Sequence, residues 1–348
     1  MVGAALSGLG MAVPQARSQE ELWTEFFSEH YAGNAVAEKL WRRSGIETRH
    51  GVADPLIDDV RALGTEARMQ RFMEAAMPLG HDAILSCLDE AGLEPSDVGL
   101  LTVVSCTGYS TPGLDILLAR DLGMSDAVQR LHVGHMGCYA AVPGLATIND
   151  AAVARGKVAV MLCLELTSLH VQPPDEEIEQ MVAHALFSDA AAAVAVVPEG
   201  PGLEIVDLVA RTDAANAALM TWEVTDHGFR MGLSPLIPEV LERHVVGVMD
   251  ELLTRHGVEV HEVAGWAVHP GGPRILNVIE ERLELDPGAL AESHATLRDY
   301  GNCSSATVIL VLQRILAERD LADGDHVVFM AFGPGLTLYA ALLRKRGG

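Results

Sequence analysis

Apolar and polar positions along the chain repeat with two different periods, and the change from one period to the other marks out the elements. Val98–Ser105 (ValGlyLeuLeuThrValValSer), Lys157–Cys163 and Ala190–Val197 are short, nearly continuous apolar runs, the pattern of strands covered on both faces. Gly113–Leu122 and Tyr139–Arg155, which separate the first two runs, bring apolar residues round at helical spacing. The opening ValGlyAlaAlaLeuSerGlyLeuGly, Val2 to Gly10, predicts a first strand. Beyond residue 202 the alternation returns, with helices expected at Ile237–His256, Arg274–Leu283 and Ala306–Glu318 and strands at Val263–His269, Val327–Phe332 and Leu336–Leu343. One α/β unit occurring twice follows, with parallel sheets covered by helices on both sides in a five-layered body. Pro198–Gly202 is the expected link between a half spanning 1–200 and a half spanning 201–348.

Composition narrows the classes. At 348 residues the chain exceeds one ordinary core, which agrees with two halves. Nearly half the residues are apolar, yet no run reaches the roughly eighteen uninterrupted apolar positions of a membrane span. The apolar opening has no basic leader and no clean small-residue cleavage site, so it reads as a strand and not as a signal peptide. Five cysteines at 87, 106, 138, 163 and 303 show no paired spacing, which predicts a reducing cytoplasm and no structural zinc. A formal charge of −24 argues against general nucleic-acid binding. Lys39, Arg42, Arg43 and Arg49 nevertheless cluster, either as a solvated helix face or as a patch for a polyanionic ligand.

Three short segments carry candidate chemistry. In HisMetGlyCysTyrAlaAla, 135–141, Cys138 stands just before an apolar helix with Pro143 in its first turn. The positive end of that helix would lower the thiol pKa and favour thiolate, although a buried cysteine packing like a small apolar residue fits type and position equally. TrpAlaValHisProGlyGlyPro, 266–273, delivers His269 from a strand into a turn that can be neither strand nor helix; a core histidine satisfied by a carbonyl is the plainer reading. TyrGlyAsnCysSerSerAla, 300–306, puts Asn302 before a serine pair placed to cap the helix from Ala306, where a simple turn asparagine would also sit. Together a thiolate nucleophile, an imidazole and an amide donor suit acyl transfer: the sulfur carries an acyl group and the two N–H donors stabilise an oxyanion or enolate.

These segments resemble the chalcone synthase family, the type III polyketide synthases, in its bacterial branch. HisProGlyGlyPro at 269–273, TyrGlyAsnCysSerSerAla at 300–306 and PheGlyProGlyLeuThr at 332–337 stand in the family's order, and the likeness runs over nearly the whole chain. The resemblance implies a thiolase-like αβαβα fold and puts the catalytic cysteine, histidine and asparagine on Cys138, His269 and Asn302. AlaLeuPheSerAsp at 185–189 resembles the segment carrying one gatekeeper phenylalanine, hence Phe187; the other maps onto Phe229. By the same likeness Cys106, Thr167, His170, Met220 and Ser304 would line the elongation cavity, and Lys39, Arg43 and Arg274 would hold coenzyme A, with Val36 where the family has a further lysine. Ser188 and Ala331 stand where glycines are usual, so the product is not carried over.

The implied reaction loads an acyl-CoA starter on Cys138, extends it with malonyl-CoA or a substituted malonyl-CoA, and releases a pyrone, resorcinol or small aromatic. Coenzyme A thioesters are then substrates, with no cofactor or metal, and the enzyme is a homodimer. The alternative is a ketoacyl-synthase-III-like acyltransferase performing zero or one condensation with a carrier protein, a partner that the acidic charge disfavours. A papain-type hydrolase fits the order Cys, His, Asn but lacks the CysGlySerCysTrp signature.

Overall fold

A computed structural model describes residues 3–347, so Val2 of the expected first strand lies outside the described residues. The strands used below are β1 (Ala5–Ala12), β2 (Val98–Val104), β3 (Gln129–Val133), β4 (Val158–Leu166), β5 (Asp189–Val197), β6 (Gly202–Thr212), β7 (Met220–Thr225), β8 (Gly228–Leu233), β9 (Val263–Val268), β10 (His326–Gly333) and β11 (Thr337–Arg346). The helices are α1 (Ala35–Arg42), α2 (Thr65–Ala91), α3 (Leu114–Asp121), α4 (Ala141–Arg155), α5 (Ile178–Leu186), α6 (Ile237–Thr254), α7 (Pro273–Leu283), α8 (Ala291–Tyr300) and α9 (Thr307–Glu318). Nine strands pair in the order β9-β10-β11-β6-β1-β5-β4-β2-β3. A single pairing, Leu6 with Leu203, joins the two halves of this sheet.

Alternation along the strands produces the layers. Leu101, Val103, Val160 and Leu162 pack with α2 and α3 on one outer face, while Val104, Met161 and Cys163 on the opposite face pack with α4 and α9. From the second half, Val327, Phe329 and Ala331 meet the same two central helices, and Val328, Met330 and Ala340 turn outward to α6 and α7. The order is therefore helices, sheet, helices, sheet, helices: the thiolase-like αβαβα fold. Val308, Ile309, Val311, Leu312 and Ile315 on α9 are all essentially inaccessible, as a helix between two sheets must be.

The sheet is mixed and not parallel as the alternation predicted. β2 runs parallel to β3 and β4, and β9 parallel to β10, where helices cross between strands. β4–β5, β1–β5, β6–β11 and β10–β11 are antiparallel. For β10–β11 the reason is connection length: the three residues between Gly333 and Thr337 cannot make a crossover. Pro198–Gly202 likewise turns within the continuous sheet, from the end of β5 to the start of β6. No helix among the described residues is long and apolar enough to cross a membrane.

Candidate active site

Strand ends and helix starts bring the segments that carry the three named side chains together. His269 follows β9 and extends its pairing, donating its amide N–H to the Met330 carbonyl at 2.8 Å. Its ring lies 5.7 Å from that of Phe332. Gly333, the next residue, backs onto the turn Gly137–Tyr139 so closely that a β-carbon there would stand 3.3 Å from the Cys138 nitrogen. On the other side, the Asn302 side-chain oxygen accepts the Ser304 N–H at 2.9 Å, and its nitrogen lies 3.4 Å from the Gly271 carbonyl, two residues beyond His269. The Ser304 hydroxyl draws the Cys138 thiol pKa down, as a neighbour of the sulfur does. A closed ring of contacts thus runs Cys138, Ser304, Asn302, Gly271, His269, Phe332, Gly333 and back to Cys138.

All three side chains are buried, and their electrostatics follow from that. Burial pushes the Cys138 thiol up to about 12, against the pull of the Ser304 hydroxyl and its own backbone N–H. The helix-start effect expected to favour thiolate is outweighed, because desolvation in a closed interior exceeds what a helix terminus supplies. Burial alone takes His269 down to about 3. Neither ring nitrogen of His269 has a hydrogen-bond partner among the described residues, so the reading of a core histidine satisfied by a carbonyl fails. A neutral thiol and a neutral imidazole share the interior; moving the proton from one to the other creates an ion pair with no change in net charge.

The serine pair does something other than cap a helix. Ser304 adopts φ +50° and leads into a short 3-10 turn, and α9 begins at Thr307 without a side-chain cap. Ser305 instead donates to Glu165 at 2.6 Å. The buried Glu165 carboxylate also accepts from the Thr107 hydroxyl at 2.8 Å and the Cys106 N–H at 3.1 Å, bonds that partly offset the burial raising its pKa. Glu165 was not among the predicted residues; a lone acid inside an otherwise apolar strand run, LeuCysLeuGluLeu, was the signal available. It ties the end of β2 to the start of α9, and leaves the Cys106 sulfur 3.7 Å from the Ser304 hydroxyl.

Beside this ring of contacts lies a cavity open to solvent, lined by Thr167, His170, Phe187, Trp222, Phe229 and Arg49 among others. The two predicted gatekeepers therefore share one cavity with Thr167 and His170, whereas Cys106, Met220 and Ser304 do not line it. Met220 joins the core of the second half, and Cys106 and Ser304 belong to the polar ring behind the wall. Thr167 spends its hydroxyl on the Ser188 carbonyl and on Asp189. Wall and ring are joined at two points: Phe187 bridges to Asn302, and the Trp222 indole donates to the Cys106 carbonyl at 2.6 Å. Trp222 was not foreseen, although it lies between Met220 and Phe229 on one face of the β7–β8 hairpin.

The basic cluster divides. Arg42 is paired with Glu20 and Glu38. Arg49 turns inward over the Trp41 and Phe27 rings and donates to the His184 carbonyl, with burial lowering it to about 10. Lys39, Arg43 and Arg274 remain exposed and line no part of the cavity. Gly45, just past α1, packs beside Pro273, which brings Arg43 and Arg274 to the same side of the molecule. No group of three or more His, Cys, Asp or Glu side chains among the described residues is arranged to hold a metal ion.

An αβαβα body whose central helix follows a buried cysteine, with an unpaired histidine at a strand end and an anchored asparagine in the loop between two helices, has the architecture of a thiolase-fold acyl-transferring enzyme. Residues 2–201 match the model for the N-terminal domain of chalcone and stilbene synthases, and residues 205–346 match that for the C-terminal domain. The chain belongs to the chalcone and stilbene synthase family, the type III polyketide synthases. It is 32% identical over 354 residues to a 1,3,6,8-tetrahydroxynaphthalene synthase of Streptomyces peucetius subsp. caesius, covering 98% of this chain and 93% of that one. It is 30% identical over 351 residues to a 3,5-dihydroxyphenylacetyl-CoA synthase of Streptomyces toyocaensis, covering 97% and 89%. The crystal structure of the tetrahydroxynaphthalene synthase of Streptomyces coelicolor superimposes with a TM-score of 0.93 at 28% identity, over 99% of this chain and 100% of that one. Between the two readings of the sequence, these relatives favour the polyketide synthase over an enzyme of zero or one condensation.

Proposed function

We propose that this polyketide synthase carries its growing chain on Cys138, with His269 and Asn302 as the oxyanion and enolate donors. The half 1–200 would supply the nucleophile and the half 201–348 the two donors. His269 takes the thiol proton, the sulfur attacks the carbonyl of an acyl-CoA starter, and the coenzyme A thiolate leaves with that proton. Malonyl-CoA or a substituted malonyl-CoA then loses carbon dioxide, its enolate held by the His269 and Asn302 N–H groups. The enolate carbon attacks the Cys138 thioester, a carbon–carbon bond forms, and the cysteine sulfur is released. Repetition and ring closure give a pyrone, resorcinol or small aromatic. The observation that carries this reading is His269: a buried imidazole with both nitrogens unpaired holds hydrogen-bonding capacity that a substrate would fill.

Lys39, Arg43 and Arg274 are assigned to the coenzyme A phosphates, and Phe187 and Phe229 to the gate between cavity and sulfur. A homodimer is favoured by β3, an edge strand whose residues Gln129 to His132 are exposed, Leu131 at 37% among them. A cytoplasmic location suits five free cysteines. An acyl-CoA starter with carboxyl-labelled malonyl-CoA tests the chemistry: carbon dioxide release that disappears in Asn302→Ala and condensed product that disappears in Cys138→Ala support it, and both unchanged in the two variants reject it.

A further inference from the structure

His170 reaches both sides of the cavity wall, and its two ring nitrogens have opposite duties. Nε2 lies 2.7 Å from the Thr107 carbonyl, which can only accept, so that nitrogen carries the hydrogen. Nδ1 lies 3.0 Å from the Phe229 amide nitrogen, which can only donate, so Nδ1 is bare. The backbone thereby fixes one neutral tautomer. The ring also lies flat on Phe229, centroids 4.6 Å apart and planes 8° from parallel. Trp222 closes the group edge-on to both rings while its N–H holds the Cys106 carbonyl. The carbonyls of Cys106 and Thr107, consecutive residues at the end of β2, are thus both taken by aromatic side chains of the wall.

Nearby bonds all serve the same hairpin. The Gln172 amide donates to the carbonyls of His170, His227 and Phe229 at 2.8, 3.1 and 3.2 Å. Thr65 holds the hairpin tip, accepting the Gly228 N–H and donating its own to the Asp226 carbonyl. Gly228, at φ +83°, leaves no room for a β-carbon, which would stand 2.8 Å from His170 Nδ1. Phe229 is accordingly held in the cavity wall by bonds that run through His170 and Gln172.

We propose that His170 is a positioning residue for the condensation: its Nδ1 holds Phe229 against the space where the enolate forms, so that decarboxylation stays coupled to carbon–carbon bond formation. This rests on the reading above that Phe229 stands at the gate between the cavity and the sulfur. With Phe229 loosened, water reaches the enolate and supplies a proton to its carbon, giving acetyl-CoA and carbon dioxide with no bond to the Cys138 thioester. The quantity that reports this is carbon dioxide released per carbon–carbon bond formed.

Three variants separate the duties of the ring, assayed as full-length enzyme with an acyl-CoA starter and carboxyl-labelled malonyl-CoA. Asparagine places an acceptor near Nδ1 and glutamine places a donor near Nε2, while phenylalanine keeps the ring and neither bond. H170Q and H170F should raise the ratio about three- to tenfold, the population change that follows from losing one hydrogen bond, and H170N should return it to within about twofold of the parent. Thermal unfolding identifies any variant that does not fold, and H170F then stands in for H170Q. A ratio unchanged in the folded H170Q or H170F, or raised equally in H170N, overturns the proposal. Absence of carbon dioxide release from the parent enzyme would instead sink the condensation reading itself.

Discussion

Asn302 and Phe187 face each other as a single parallel bridge between otherwise separate segments. The Asn302 amide donates to the Leu186 carbonyl at 2.9 Å, and its carbonyl accepts the Ser188 N–H at 2.9 Å. A cavity-lining aromatic and the asparagine of the polar ring therefore cannot shift independently. Replacing the side chain leaves this bridge intact but removes the acceptor of the buried Ser304 N–H. Asn302→Ala should cost about 1–3 kcal/mol in stability, read by urea unfolding, and about 10²- to 10³-fold in decarboxylation rate. A fall in stability with decarboxylation intact would remove Asn302 from the chemistry.

Glu165 stabilises through its bonds and not through its charge. Glu165→Gln keeps the size and one oxygen, and the Thr107 and Ser305 hydroxyls can turn to accept, so a loss near 1 kcal/mol is expected. Glu165→Leu abandons three buried donors at once and should cost about 3–5 kcal/mol. Equal unfolding midpoints for the two variants would contradict this account.

Lys39 and Arg43 have no ion-pair partner among the described residues, whereas neighbouring Arg42 has two. Lys39→Glu with Arg43→Glu should raise the KM for acyl-CoA about tenfold at low salt, and the difference should shrink as salt screens it. Stability should change by less than about 0.5 kcal/mol, as at exposed sites generally. Thioesters of short pantetheine analogues, which lack the nucleotide phosphates, are the control and should be unaffected. An equal loss with both substrates would count against phosphate binding.

Four buried histidines set the acid limit of the fold. Burial takes His30 and His170 to about 4, His269 to about 3, and His184 well below its ordinary value. The unfolded chain takes up these protons from about pH 6.5, while the folded chain refuses them, so stability is complete above that pH and falls as pH drops towards 4. Each histidine contributes about 1.4 kcal/mol per pH unit in that window. Burial raises Glu165 and Asp189, which act in the opposite sense at the acid end. Urea midpoints between pH 7.5 and 5 should therefore fall steeply, and His269→Asn should flatten the slope by about a quarter. A midpoint independent of pH over this range would refute the assignment of neutral histidines.

Much of the framework was legible because it is local. The apolar run Val98–Ser105 predicts a strand, which runs Val98–Val104, and the spacing over Arg274–Leu283 predicts a helix, which runs Pro273–Leu283. Apolar runs and helical spacing survive folding with little change. The serine pair misled for the opposite reason: Asn302, two residues before Ser304, and Glu165, 140 residues before Ser305, compete successfully for groups a helix cap would use. Arg49 looked like surface charge beside Lys39 and Arg43, and only the Trp41 and Phe27 rings waiting inside explain its inward turn.

By itself the sequence determined which residue types were present to do acyl chemistry, the strands and helices that deliver them, and the family whose motifs they match. It determined neither sheet direction, which for β10–β11 hangs on a three-residue turn, nor the state of the thiol, which depends on how completely water is excluded. Periodicity and motifs are properties of neighbours along the chain. Desolvation, the closed ring from Cys138 through Asn302 to His269, and the clamp of His170 on Phe229 join residues tens to hundreds of positions apart, and only the packed tertiary structure brings those into range.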